Sequence, residues 1–285
     1  MAERLSDVAA QIQNVRQLAA VVTAMRGIAA SRAQKGRARL AGIEAYTDIV
    51  SRAIGEALNF LPTTMTVASA PQRSKRGLIL FCAEQGFAGA FSERVFEVAA
   101  GDLQGAVILL AGTRGAAVAA ERGIKPAWAT AMTTHVEGIA AFANRLAEAL
   151  YHFVAQGTIA TADIVFSRSV PGGLRIDRHS LLPLDLGRFT RPIGKEPPLI
   201  ELAPDLLLDR LAAEYVYAQL CEAAMHAFVA ENEARVSAMM AARNNTDKKL
   251  AVLLQRERQL RQEEITTEII ELAAGAEALQ GNRGG

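Results

Sequence analysis

Apolar residues over the first sixty positions recur at steps of three and four: Leu5, Val8, Ile12, Val15, Ala19, Val22 and Ala29, with the step through Arg26 alone breaking the seam. That spacing keeps one stripe on one side of a helix, at the period of a coiled coil. Gly27, Gly36, Gly42 and Gly55 interrupt the helix formers. Each costs about 1 kcal/mol at an exposed interior position, so tertiary contacts must hold the helix together. Pro62 is its expected stop. After a polar loop with Pro62, Pro71 and Ser74 the period changes. Residues 76–82 (RGLILFC) form a short apolar run, predicting a buried strand, and residues 86–100 predict a glycine-rich turn and a helix. A second strand is expected at 106–110, a small-residue helix at 113–122, an amphipathic helix at 135–155, a further strand at 162–166 and a polar, antiparallel edge strand at 174–182. Strands alternating with helices predict a mostly parallel sheet covered by helices.

Residues 183–204 contain Pro192, Gly194, Pro197 and Pro198 and read as a linker. The next seventy residues, 205–274, contain no Gly and no Pro. As one helix this stretch would be on the order of 100 Å long, at 1.5 Å per residue. Either it turns back on itself or it needs a partner along most of its length. Asp205 suits an N-cap or first-turn acid. Leu208, Leu211, Tyr215, Leu220, Ala224, Ala227 and Phe228 line one face, and Leu250, Leu253, Leu254, Leu260, Ile265, Ile269 and Leu272 resume it after the polar septet 243–249. Two Asn in that septet favour a turn, but no Gly or Pro fixes one. The fold class is therefore α/β with long helices: an antiparallel two-helix coiled coil of the two ends with an α/β domain inserted between them. The expected segments are 1–61 (first coiled-coil helix), 75–185 (α/β domain), 186–204 (linker) and 205–280 (second coiled-coil helix).

Composition narrows the function by exclusion. Lys and Arg number 31 against 30 Asp and Glu, and aromatics make up 5%. Neither a basic excess nor a base-stacking platform points to nucleic acid. The one local bias is Arg26, Arg32, Lys35, Arg37 and Arg39, a basic run without an acid, which reads either as a solvated face or as a docking surface for an acidic partner. Cys82 and Cys221 lack metal-ligand spacing and read as buried small hydrophobes. The opening MAERLSDVAA lacks a signal-peptide core, and no apolar run reaches membrane-span length. A soluble, cytoplasmic protein is the expectation.

Catalytic motifs are missing: no GxxxxGK[ST], no GxGxxG after the first strand, no HExxH and no GxSxG. Gly86-Phe87-Ala88-Gly89 sits where a dinucleotide fingerprint would begin but lacks its glycine spacing; a tight strand-to-helix turn accounts for it. His135, His152, His179 and His226 are scattered, with no sequence-local carboxylate or Cys pattern for a metal, so each reads as structural. Neither a cofactor nor a metal is expected.

The two ends carry a resemblance. Residues 22–25 (VTAM) and 28–32 (IAASR) resemble the N-terminal signature of the gamma subunit of F-type ATP synthases. Residues 265–272 (ITTEIIEL), followed by Gly275-Ala276 and preceded by Arg261-Gln262, resemble its C-terminal signature. Between them, residues 231–240 (ENEARVSAMM) resemble the family's Ser-Glu-x-x-Ala-Arg-Met block, and Leu207-Leu208-Asp209 with Tyr215 and Gln219 match the start of its last helix. Departures exist. The family's middle motif Ser-Asp-Arg-Gly-Leu-Cys-Gly-Gly stands here as residues 83–90 (AEQGFAGA), its Thr-Asp-Asn as Arg243-Asn244-Asn245, and its lysine before Ala-Met as Thr23. They point to a divergent branch, with the alternative, sodium-associated type of rotary ATPase as a candidate.

The resemblance implies a non-catalytic central-stalk rotor subunit. Its coiled coil would stand inside a hexamer of alpha and beta subunits, while the Rossmann-like domain and lower shaft would grip the epsilon subunit and the c-ring at the cytoplasmic face of the inner or plasma membrane. Rotation of the ion-driven c-ring would be coupled to ATP synthesis or hydrolysis. Carried over by position, Met25 would lie near an acidic loop of a beta subunit, and Arg26 and Arg32, with the rest of the basic run, would face beta's acidic levers. Arg261, Gln262, Thr266 and Glu268 would contact the alpha/beta bore, Glu201 the c-ring or epsilon foot. In this reading the long segment is one uninterrupted helix, and the septet 243–249 marks the place where it leaves the first helix and meets the surrounding ring. Two other readings compete: a Rossmann-like nucleotide-binding protein with a coiled-coil oligomerisation arm, and a coiled-coil adaptor that self-associates.

Overall fold

The computed structural model describes residues 4–61, 74–192 and 198–281, with side chains through 274. Pro62, Pro71, Gly194 and Pro197 lie outside the described residues, as do the side chains of Gly275 and Ala276. The elements run α1 (Leu5–Ala57), β1 (Lys75–Phe81), α2 (Phe91–Ala99), β2 (Val107–Ala111), α3 (Thr113–Glu121), β3 (Trp128–Thr130), α4 (Ile139–Ala155), β4 (Ile159–Val170), β5 (Gly173–Leu182) and α5 (Pro204–Gly281).

Two compact units are present, Ile28–Val236 and Met1–Gly27 with Ser237–Gly285. In the first, a five-stranded sheet has the order β3-β2-β1-β4-β5. Its pairs are parallel except β4 with β5, where Ile164 faces His179. The period of two splits the strands between two layers. Ile79, Phe81, Leu109, Ala111, Ile164 and Phe166 join Phe142, Leu146 and Leu150 of α4 and the middle of α5. Leu78, Leu80, Cys82, Ile108, Leu110 and Val165 join Val95 and Phe96 of α2 and Val118 of α3. Cover on both faces is why β1 and β2 read as unbroken apolar runs. β3 shows no pattern in the sequence because it is three residues long and is held by backbone pairing of Leu109 with Trp128.

The middle of α5 carries more than the single expected face. Between Val216 and Ala230 nearly every side chain is buried, because the helix has the sheet layer on one side and α1 on the other. Small residues permit the close approach. A Cβ on Gly36 of α1 would come within 2.6 Å of Val229 Cγ2, and one on Gly55 within 2.2 Å of the Thr190 carbonyl oxygen. Gly27, by contrast, has nothing within 4 Å of that position. The same substitution should therefore act with opposite sign. We expect Gly27→Ala to stabilise the chain by about 1 kcal/mol through helix propensity, and Gly55→Ala to cost about 2 kcal/mol through overpacking against a backbone that cannot swing away, both read from urea denaturation midpoints.

In the second unit Val8, Ile12 and Leu253 are buried together with Val15, Leu250, Leu254 and Leu260 packed around them. Arg243 donates Nη1 to the Ala19 carbonyl and to Thr23 Oγ1, each at 3.2 Å. Early residues of α1 thus meet late residues of α5, the antiparallel sense. Here the expectation for the septet needs correction. α5 runs through residues 243–249 without a turn, as the resemblance implies, but it does not part from α1 there: Arg243 reaches across to α1, Thr246 is buried, and the leucine seam resumes directly afterwards. The septet's remaining polar side chains point to solvent, which is why the stretch reads as a break.

Candidate functional site

In an open α/β sheet, ligands bind outside the carboxyl ends of the strands where the chain's winding reverses. Here that point is β1, flanked by β2 and β4. The loop that follows it, residues 82–90, is filled by the chain itself. The Glu84 carboxylate accepts from Thr113 N at 2.9 Å, Thr113 Oγ1 at 2.8 Å and Met132 N at 2.8 Å. It therefore occupies the amino end of α3, where the unpaired N–H groups and helix dipole would otherwise receive a phosphate. A Cβ on Gly112, at φ 108°, would fall 2.5 Å from the Cys82 carbonyl oxygen, so β1 and the start of α3 are closed against each other. Phe87 and Gly89 both have φ 62°, which makes the Gly86-Phe87-Ala88-Gly89 segment a tight turn.

From the other side α5 clasps the same loop. Glu231 accepts from Glu84 N at 3.1 Å and Gln85 N at 3.0 Å. Arg235, one turn on, donates Nε to the Gly86 carbonyl at 3.0 Å and Nη2 to the Gln85 carbonyl at 3.2 Å, and pairs with Glu231 at 2.5 Å. Both side chains are only 6% exposed. Ala83, Ala88 and Phe91 pack on Ala230 beneath the clasp. α1 adds Arg32, which donates to Gln85 Oε1 at 3.1 Å. Burial pushes the neighbouring Cys82 thiol up to about 12, so it supplies no nucleophilic thiolate. A crevice whose helix end is taken by Glu84, with no available thiolate and the amides of residues 82–85 engaged, is a mechanical joint between sheet and α5.

The side chains expected at interfaces fall in two places. Met25 is half-buried and Arg26 exposed on α1; Arg261, Gln262, Thr266 and Glu268 are exposed on α5. Arg261 donates to Glu257 at 3.4 Å, and the Thr266 hydroxyl turns back onto the Gln262 carbonyl at 2.8 Å. Arg261 shares a groove with Arg4, Leu5 and Ser6, about 30 Å along α1 from Met25 at 1.5 Å per residue. Every described side chain from 261 to 274 is exposed, including Ile265 at 51% and Leu272 at 74%. Arg32 and Glu201 belong to the other unit, Glu201 exposed just before α5. The basic run is partly answered within the chain, since Arg37 pairs with Glu233 at 3.1 Å.

Sequence reasoning missed the Glu84, Glu231 and Arg235 clasp, although an acid and an arginine four apart inside an apolar helix is a legible sign of a buried pair. It also misread His226. Glu222, one turn earlier on the same helix, is the sequence-local carboxylate that the reading overlooked, and the fold adds Glu44. That second partner, on α1, is remote in sequence, so only the folded chain assembles the group.

Comparison with known proteins gives consistent matches. A family model described as ATP synthase matches residues 4–279. Proteins named ATP synthase gamma chain from Clavibacter michiganensis subsp. michiganensis and Kineococcus radiotolerans are 26% and 28% identical, the first covering 96% of this chain and 97% of its own, the second 98% of each. A chain in the Euglena gracilis mitochondrial ATP synthase structure titled OSCP/F1/c-ring superposes with a TM-score of 0.67 at 12% identity, covering 99% of this chain and 96% of that one. One in the Tetrahymena thermophila mitochondrial ATP synthase structure, titled central stalk/cring, gives 0.52 at 16% identity, covering 78% and 99%.

Proposed function

The chain belongs to the ATP synthase family, and we propose that it is the gamma chain of such a complex, its central-stalk rotor subunit. It is non-catalytic. The alpha/beta hexamer holds the ATP chemistry, and the epsilon subunit and c-ring grip the foot. The chain is part of the F1 portion, and among the described residues no helix is long and apolar enough to cross a membrane. Its place is peripheral, on the cytoplasmic face of the inner or plasma membrane.

The observation that carries this reading is the end of α5. Ile265, Ile269, Ile270 and Leu272 are exposed at the end of α5, where every described side chain past Leu260 is exposed. Isolated apolar residues on a surface are ordinary, but several on one unsupported helical stretch mark a surface that another protein covers. A bore lined by alpha and beta subunits supplies that cover. Arg261, Gln262, Thr266 and Glu268 would make its polar contacts, Met25, Arg26 and Arg32 would meet beta's acidic levers, and Glu201 would touch the foot. Residues 1–61 and 205–280 then act as shaft, 75–185 as foot domain and 186–204 as their linker. Charge complementarity along the basic run need not bind tightly to transmit torque. The clasp of Glu231 and Arg235 serves the same end, since force applied to the sheet passes into α5 through buried hydrogen bonds.

The rival reading, nucleotide binding by the α/β domain, is answered by Glu84, whose carboxylate sits where a phosphate would go. The purified chain should show no ATPase activity and no saturable nucleotide binding by calorimetry. Mixed with the alpha and beta subunits it should co-purify as one copy per hexamer and restore cooperative hydrolysis. Failure to co-purify, or a homo-oligomer by mass, overturns the assignment.

A further inference from the structure

One buried polar group has no part in the joint or the shaft surface. His226 of α5 is 4% exposed, and among the described residues its Nε2 has no hydrogen-bond partner. A buried ring nitrogen left unpaired carries a desolvation cost that native folds normally avoid. It faces two carboxylates: Glu44 Oε1 on α1 at 3.7 Å and Glu222 Oε1, one turn earlier on α5, at 3.8 Å. Both separations exceed a hydrogen bond. The three donor atoms lie within 4.8 Å of one another.

That spacing suits an ion between the atoms. With metal–nitrogen and metal–oxygen bonds of about 2.0–2.2 Å, tetrahedral ligands stand about 3.4 Å apart, so the two His226 separations close with shifts of a few tenths of an ångström, and the half-exposed Glu44 carboxylate has the freedom to swing toward Glu222. We propose that Glu44, Glu222 and His226 form a binding site for a divalent cation of the zinc class, clipping α1 to α5. One imidazole with two carboxylates is a donor set that zinc accepts, while a hard ion such as magnesium prefers oxygen ligands and its own water.

The surroundings support the role. Phe166 stacks on the His226 ring at 5.9 Å between centroids and 18° between planes, fixing its direction. The Glu44 side chain is 45% exposed and opens the group to solvent, giving the ion a path in. The cation nearest the group is Arg168, whose Nη2 stands 3.6 Å from Glu222 Oε1, looser than an ordinary charge-assisted bond. A bound metal takes that oxygen and leaves Arg168 to Asp177, which it already holds at 3.0 Å. The proposal stands independently of the rotor assignment, since it needs only the packing of α1 on α5.

The full chain, stripped with a chelator and dialysed, should take up one equivalent of ZnCl2 by calorimetry, and cobalt(II) in its place should give the visible absorption of a low-symmetry four-coordinate site. His226→Gln should weaken binding at least a hundredfold and abolish the cobalt spectrum. Glu44→Gln, at a half-exposed side chain that the fold does not need, should weaken it at least tenfold while leaving the metal-free melting temperature unchanged. Zinc should raise the melting temperature of the wild type and not of either variant, and excess MgCl2 should leave the titration unaltered. Absence of saturable uptake, wild-type affinity in both variants, or displacement of zinc by magnesium overturns the proposal.

Discussion

Replacing Arg235 with alanine is expected to destabilise the chain by about 3–5 kcal/mol, since truncating one member of a buried ion pair strands the other. The argument is local. Arg235 bonds the Gln85 and Gly86 carbonyls and also pairs with Glu231. Without it the buried Glu231 carboxylate loses its counter-charge, and the Gln85 and Gly86 carbonyls of the exposed loop lose their donor. Glu231 keeps the amides of Glu84 and Gln85, which should hold the loss toward the lower end of that range. Urea denaturation measures the cost, and hydrogen exchange at residues 84–86 should accelerate in the same variant. Replacing Glu231 and Arg235 together by methionine should cost less than the sum of the single changes. A loss below about 1 kcal/mol for Arg235→Ala would mean the clasp is not structural.

A second large effect is expected where stability should not change at all. Ile265→Asp with Ile269→Asp should alter the unfolding free energy by no more than about 0.5 kcal/mol, because both side chains are exposed on unsupported helix. In an assembly assay with the alpha and beta subunits the same pair should weaken association at least tenfold, equivalent to about 1.4 kcal/mol. A drop in melting temperature without loss of association would place the stretch in the chain's own core instead. Unchanged association would remove the observation on which the rotor reading leans.

These two regions also show what a sequence can convey. The heptad stripe of α1 and the apolar runs of β1 and β2 were legible because each answers one packing environment along its whole length. α5 was harder. Its middle is buried on two sides, its septet is polar on all but one, and its end faces no partner, so no single period describes it. Whether it turned at the septet depended on Arg243 reaching Ala19, a contact more than two hundred residues away in sequence. The interface residues came from resemblance, and their exposure is compatible with contact yet would look the same on any solvated helix. The clasp and the His226 group each carry a local half, an i,i+4 pair within α5, that the sequence shows, and a remote half, Glu84 or Glu44, that only the fold supplies.

The antiparallel pairing of α1 with α5 has a consequence for the making of the protein. Val8 and Ile12 are translated more than two hundred residues before their cover, Leu250, Leu253 and Leu254. At about 5–20 residues per second, the stripe on α1 waits tens of seconds on the ribosome with no complement to close on. For that interval the nascent chain offers a continuous apolar seam to any neighbour, another half-made copy included. A chaperone that shields the first helix, and a ribosome that does not stall before Leu250, matter more to the yield of this shaft than the stability it finally attains.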